Sequence, residues 1–190
     1  FTLGPYVFMF LIPAITMKAF AEEKKSGTIE LLFTQPFTDW QVIAGKYLAS
    51  FTLVAMAVVP TLVYYYSVYQ LGNPVGNLDT PGITGSYIGL LLLGGVFAAI
   101  GIFASSITSN QIVSFIIAVF LCYFLYGGLE SIGAVDIWGR FSLFLQKLGI
   151  LYHYNSLSRG LLDSRDIIYF LSVIAGVLLL TNLVLNSRKW

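Results

Sequence analysis

The sequence predicts an all-α integral membrane protein, a polytopic helical bundle. Three observations lead there. Of its 190 residues 57% are hydrophobic and only 10% charged, with mean hydropathy +0.83, whereas a soluble domain carries about 25% charge. Five apolar windows, at 3–17, 47–71, 86–106, 112–129 and 167–185, meet or approach the roughly 20 residues that cross a hydrocarbon core at a rise of about 1.5 Å each. The runs are long and continuous rather than short and alternating, so helices rather than barrel strands satisfy the backbone inside lipid.

The composition also excludes several kinds of chemistry. Ten Lys and Arg against nine Asp and Glu leave a net charge of +1, so no basic surface attracts nucleic acid. One cysteine, Cys122, rules out a disulfide framework or a cysteine zinc site, and one histidine, His153, rules out a multi-histidine metal site within the chain. No G-x-S-x-G turn presents a nucleophile, and no second histidine backs one, which argues against an intramembrane enzyme. There is no G-x-x-x-x-G-K-[ST] loop to cradle nucleotide phosphates. The chain therefore shows no nucleotide site and calls for no cofactor of its own.

The first window opens at Phe1 with no basic n-region and no small-residue cleavage site, and Pro5 and Pro13 interrupt it. It reads as the latter part of a membrane helix, 1–17, rather than a signal peptide; an upstream segment carrying one more span is expected. Three spans separate the loop at 18–46 from the long connection at 130–166, so these two lie on opposite sides. Basic residues favour the cytoplasm. Placing the first loop inside collects Lys18, Lys24, Lys25, Lys46, Arg188 and Lys189 there, against Arg140, Lys147, Arg159 and Arg165 outside. The turn at 72–85, with its single acid Asp79, then lies outside, and the basic tail at 186–190 inside.

The first loop is the most informative segment. Ser26-Gly27 is expected to break the preceding helix. Thr28 is placed to cap a short helix at 29–33, with Glu30 in its first turn favoured by the helix dipole. Pro36 stops that helix, and Thr38 or Asp39 caps the next, which runs through Lys46 into the second visible span. Leu31, Leu32 and Phe33 cluster on the short helix. Such an apolar cluster needs a place to insert, either the headgroup layer or a groove on another protein. A simple reversal needs only a few residues, so the length of the loop favours docking on a protein.

The run AEEKKSGTIELLFTQPFTDWQVIAGKYLA resembles the segment between the second and third membrane helices of ABC-2-type exporter permeases. The matching positions are Glu23, Gly27, Thr28, Glu30, Leu32, Pro36, Gly45 and Lys46. The chain end, LGILYHYNSLSRGLLDSRDIIYFLSVIAG with its basic tail, resembles that family's last helix and its lead-in. Within the family the wording FAEEKKSGTIELL and HYNSLSRGLLDSRDIIYFLS is most similar to the gliding-motility-associated permease subunit. The resemblance implies an ABC-2 (type V exporter) fold of six spans, five of them visible here, in a multi-pass protein of the bacterial inner membrane. It implies that Glu22, Glu23, Gly27, Thr28, Ile29, Glu30, Leu31, Leu32, Phe33 and Pro36 form a coupling helix and its flanks, seated on a separate ABC ATPase. It further implies a dimer with a second copy or a related permease, and an accessory gliding-motility membrane protein as a further partner. The alternative function is a membrane anchor or scaffold of the gliding machinery that transports nothing.

In the long connection, Ile137, Trp138, Phe141, Phe144, Leu145 and Leu148 recur at helical spacing. One reading is an amphipathic helix on the outer interface, anchored by Trp138, Tyr152 and Tyr154. The family resemblance implies another, a partly re-entrant lid in which Trp138, Phe141, Phe144 and Leu145 close the outer exit. Glu130 either rests in the headgroup layer or serves a cation. His153 is expected at a wet interface. Asp163 is the expected N-cap of the last span and Asp166 lies in its first turn, with Arg159 and Arg165 as their ion-pair partners. Cys122 reads as a packing residue. Gly85/Gly89 and Gly101/Ser105 have small-xxx-small spacing and are assigned to internal packing rather than a dimer seam. Tyr64, Tyr65, Tyr66 and Tyr69 suit an outer aromatic belt.

Overall fold

The computed structural model describes residues 2–30, 36–72, 76, 78–134, 142, 146–161 and 163–187. Among these residues every regular element is helical, and five helical stretches are long and apolar enough to cross a membrane. In order they are α1 (Gly4–Thr16) with α2 (Ala21–Ser26); α3 (Asp39–Val58) continuing through a tight turn into α4 (Leu62–Leu71); α5 (Thr80–Ile107); α6 (Gln111–Tyr123), prolonged by a π-helical turn over Phe124–Gly128 and α7 (Leu129–Gly133); and α9 (Ser164–Asn186). A shorter helix, α8 (Ile150–Ser158), precedes α9.

The starts and breaks follow local chemistry. Proline at the first turn begins α1 and α5, where its missing N–H costs nothing. Asp79 accepts from Gly82 N, Asn110 from Ile112 N and Asp163 from Arg165 N, each supplying an acceptor to a backbone donor that has none inside its own helix. Thr38, rather than Asp39, caps α3, through a reciprocal pair: its hydroxyl accepts from Gln41 N while its own N–H donates to Gln41 Oε1. Pro60 interrupts the ladder between α3 and α4 and tightens Val59–Thr61 into a 3₁₀ turn.

α5 is the centre. In its most apolar stretch 78% of residues are buried against protein, compared with 11% in α9, and α5 touches α1, α3, α6, α8 and α9. Lipid tails are as apolar as leucine, so helices in a membrane associate through close packing rather than by escaping water. The glycines of α5 permit that packing. A methyl group at Gly101 would overlap the Thr16 hydroxyl of α1, and one at Gly85 would overlap the Leu157 carbonyl oxygen of α8. At Gly94 it would crowd Val54 of α3. The small-residue spacing therefore serves internal contacts, and Cys122 lies fully buried among them. The main core joins Phe8, Ile12, Val54, Leu93, Phe97, Tyr126, Tyr154 and Phe170 from six different segments.

At the end of the bundle away from residues 17–46, one sequence expectation changes and another gains detail. His153 is partly exposed, and it is held on both ring nitrogens. Its Nδ1 lies 2.7 Å from Asp166 Oδ1, its Nε2 lies 2.9 Å from the Lys147 carbonyl, and its ring stacks on Tyr169 at 3.9 Å. Asp166 is accordingly paired with a histidine one helix away. Among the described residues neither Arg159 nor Arg165 forms an ion pair; Asp163 is occupied by the backbone of Arg165. The reason is rotational: Asp166 is buried on the face of α9 that meets α8, while both arginines are exposed. The long connection returns on itself, since Ser142 Oγ and Gln146 Nε2 both donate to the Gly133 carbonyl at the end of α7. Trp138, Phe141, Phe144 and Leu145, with Ile137, lie outside the described residues. α8, beyond them, packs into the bundle through Ile150, Tyr154 and Leu157.

Gly101→Val is expected to lower stability by about 1–3 kcal/mol, the range of overpacked cores, and Thr16→Gly in the same chain to recover much of the loss. Thermal unfolding in detergent of the two single variants and the double variant measures the coupling.

Candidate functional site

The candidate site is the first loop and the structure at its base. α1 ends at Thr16, four residues turn the chain, and α2 runs Ala21–Ser26. Gly27 then adopts φ 72°, the left-handed conformation that closes a helix and that glycine takes without a Cβ clash. The helix break expected at Ser26-Gly27 is thus a left-handed cap. Thr28 turns inward: its hydroxyl lies 2.8 Å from Ser26 Oγ and 3.5 Å from the Glu23 carbonyl. Helical geometry resumes at Ile29 and Glu30. Leu31, Leu32 and Phe33 lie outside the described residues; Pro36 is exposed just before the α3 cap.

Two side chains from other helices, and one of its own, hold α2. Ser105, near the end of α5, accepts from Phe20 N and Ala21 N at 2.9 Å each and donates to the Met17 carbonyl at 3.0 Å. Lys46 of α3 donates to the Ala19 carbonyl at 2.6 Å and to Glu23 Oε1 at 2.5 Å, and sits 4.8 Å over the Phe20 ring. Lys24 donates in the other direction, from α2 to the Ser106 carbonyl of α5. Beneath them Phe20, Ile43 and Ile102 are fully buried together with Leu185 of α9, and Ile29 packs against their edge. α2 is thereby fastened to α3 and to α5 at once.

The candidate residues divide by exposure. Glu23 is half-buried and held, its second oxygen Oε2 buried without a hydrogen-bond partner. Glu22, Gly27, Thr28, Glu30 and Pro36 are exposed, and Ile29 is half-buried. The base of the segment is thus held, while its acid-tipped end is exposed. Sequence reasoning named Glu23 and Lys46 separately and missed their pairing, which joins residues 23 apart. It read Ser105 only as a small packing residue, because a serine carries no mark of the backbone atoms it will meet. Among the described residues no cluster of three or more His, Cys, Asp or Glu side chains forms a metal site.

A polytopic bundle built on one glycine-rich central helix, with the first loop fastened to it, has the architecture of a membrane-embedded protein. The family model described as ABC-2 family transporter protein matches residues 4–185. The chain belongs to the ABC-2 transporter family, and is the multi-pass membrane component of an ABC transporter, working with an ABC ATPase. No curated protein matches it.

Ser105→Ala should strand two buried backbone donors and cost about 1–3 kcal/mol. Hydrogen exchange measured on Phe20 and Ala21 should rise selectively in the variant, with the far-end helices unchanged.

Proposed function

We propose that this chain is the permease of an ATP-driven exporter of the gliding-motility branch, and that it takes up the ATPase stroke through the first loop. In this reading the loop end is cytoplasmic, the membrane is the bacterial inner membrane, and two permease chains enclose the pathway. ATP and Mg reside in the partner. The outward lid assigned to Trp138, Phe141, Phe144 and Leu145 belongs to the same proposal. The branch rests on the wording at FAEEKKSGTIELL and HYNSLSRGLLDSRDIIYFLS.

One observation carries the coupling role: the fastening of α2 to α3 by Lys46 and to α5 by Ser105 and Lys24. A force applied near Glu30 would reach the central helix chiefly through Ser105, whose short side chain bonds directly to backbone atoms, with the longer Lys24 and Lys46 as additional tethers. A loop that only lay on lipid would need no such attachment. The apolar residues Leu31, Leu32 and Phe33 supply the surface for a groove, and Glu30 supplies a charge that a basic rim on the ATPase would meet.

Glu30→Lys combined with Leu32→Asp should leave the chain inserted and thermally stable while abolishing co-purification of the ATPase in mild detergent. Undiminished co-purification would count against the docking role. Ser105→Ala should retain the ATPase but uncouple it, so that hydrolysis continues while transport falls.

A further inference from the structure

A cleft of about 320 Å³ opens at the far end of the bundle, between the start of α1, the π-helical turn and α7. Its walls include Tyr6, Tyr123 and Tyr126, and Glu130 and Ser131 line it beside them. Glu130 Oε2 is buried and has no hydrogen-bond partner, and among the described residues no ion pair reaches this carboxylate. The Ser131 hydroxyl is turned away, donating to the Gly127 carbonyl at 2.8 Å. The Tyr6 and Tyr126 rings stand 6.1 Å apart with planes at 80°, adjacent walls of a box. The π-helical turn adds a residue to the helix where Gly127 and Gly128 leave the wall thin, a distortion that often marks a functional site.

The lining selects among ligands. One oxygen of the half-buried Glu130 carboxylate is shut away without a partner, and a bound cation would supply one. A hard metal ion requires several oxygen ligands, and Glu130 is the one carboxylate among the described residues that line the cleft. Aromatic faces instead attract cations whose charge is spread over alkyl groups, the logic by which quaternary ammonium ions are recognised. The cleft is at the small end of the range for ligand sites, about 300–1,000 Å³, which suits a headgroup-sized molecule rather than a polymer.

We propose that Tyr6, Tyr123, Tyr126 and Glu130 form a binding site for an alkylammonium group, carried either by a lipid headgroup or by a soluble small molecule. The site is distinct from the first loop and its occupancy is independent of the ATPase.

The test uses the full chain in nanodiscs of phosphatidylglycerol alone, with choline as probe and 3,3-dimethylbutan-1-ol as its uncharged counterpart, followed by saturation-transfer NMR. Choline should bind and the alcohol should bind at least about tenfold more weakly; Glu130→Gln should weaken choline by about tenfold, and Tyr123→Leu by several-fold. Tyr123 is more than half exposed, so its replacement leaves the fold intact and decides the matter should the Glu130 variant fail to fold. Repeating the titration with phosphatidylcholine in the disc distinguishes the sources: loss of the free choline signal assigns a lipid headgroup, and its persistence assigns a soluble cation. Absence of choline binding, equal binding of choline and the alcohol, or undiminished binding by either variant that folds would overturn the proposal.

Discussion

The close approach of helix backbones to α5 is the contact on which the rest of this bundle depends. In water, burial of greasy side chains would hold the helices together; in lipid that incentive is nearly absent, and what remains is shape. Gly85, Gly94 and Gly101 give α5 a surface low enough for α8, α3 and α1 to reach it. The short distance then brings polar groups within range: Ser105 meets the α1–α2 turn, and Ser86, near Gly85, reaches the Ser158 carbonyl of α8 at 3.4 Å. Packing comes first, and the hydrogen bonds at both ends of the bundle follow from it.

The two ends are fastened by different chemistry. At the loop end, charged side chains reach to backbone carbonyls and one acid, and the surrounding surface is partly wet. At the far end, His153 bridges Asp166 and the Lys147 carbonyl while Tyr169 covers its ring and donates to the Leu148 carbonyl at 2.5 Å. That arrangement ties the lead-in of the last span to the span itself. The bundle is thus pinned at both poles, with α5 running between the two fastenings.

Much of this was legible in the sequence. Long uncharged runs specify membrane helices almost without context, since hydrocarbon tolerates so few alternatives. Caps at Asp163 and Thr38 and the break at Gly27 were legible because they depend on residues within one turn. What escaped were contacts between distant segments. The Glu23–Lys46 pair, the Ser105 bonds and the His153–Asp166 pair each require knowing how helices are rotated about their axes. The assignment of Arg159 and Arg165 to the acids failed for that reason: closeness in sequence suggested partners that the helix face forbids. Tyr123 ends α6 and Tyr126 lies in the π-helical turn after it, on the same helical stretch as Glu130, whereas Tyr6 comes from α1 and only the folded chain brings it to them.

The hydroxyl of Ser105 has one proton to give and two lone pairs to share. Met17 takes the proton, and Phe20 and Ala21 take the lone pairs. Its valence is saturated, with nothing left for solvent, and Phe20, Ile43 and Ile102 close the space around it. A water molecule arriving there finds no foothold. The joint between α5 and the α1–α2 turn is therefore dry at Ser105, although the surface around it is partly wet.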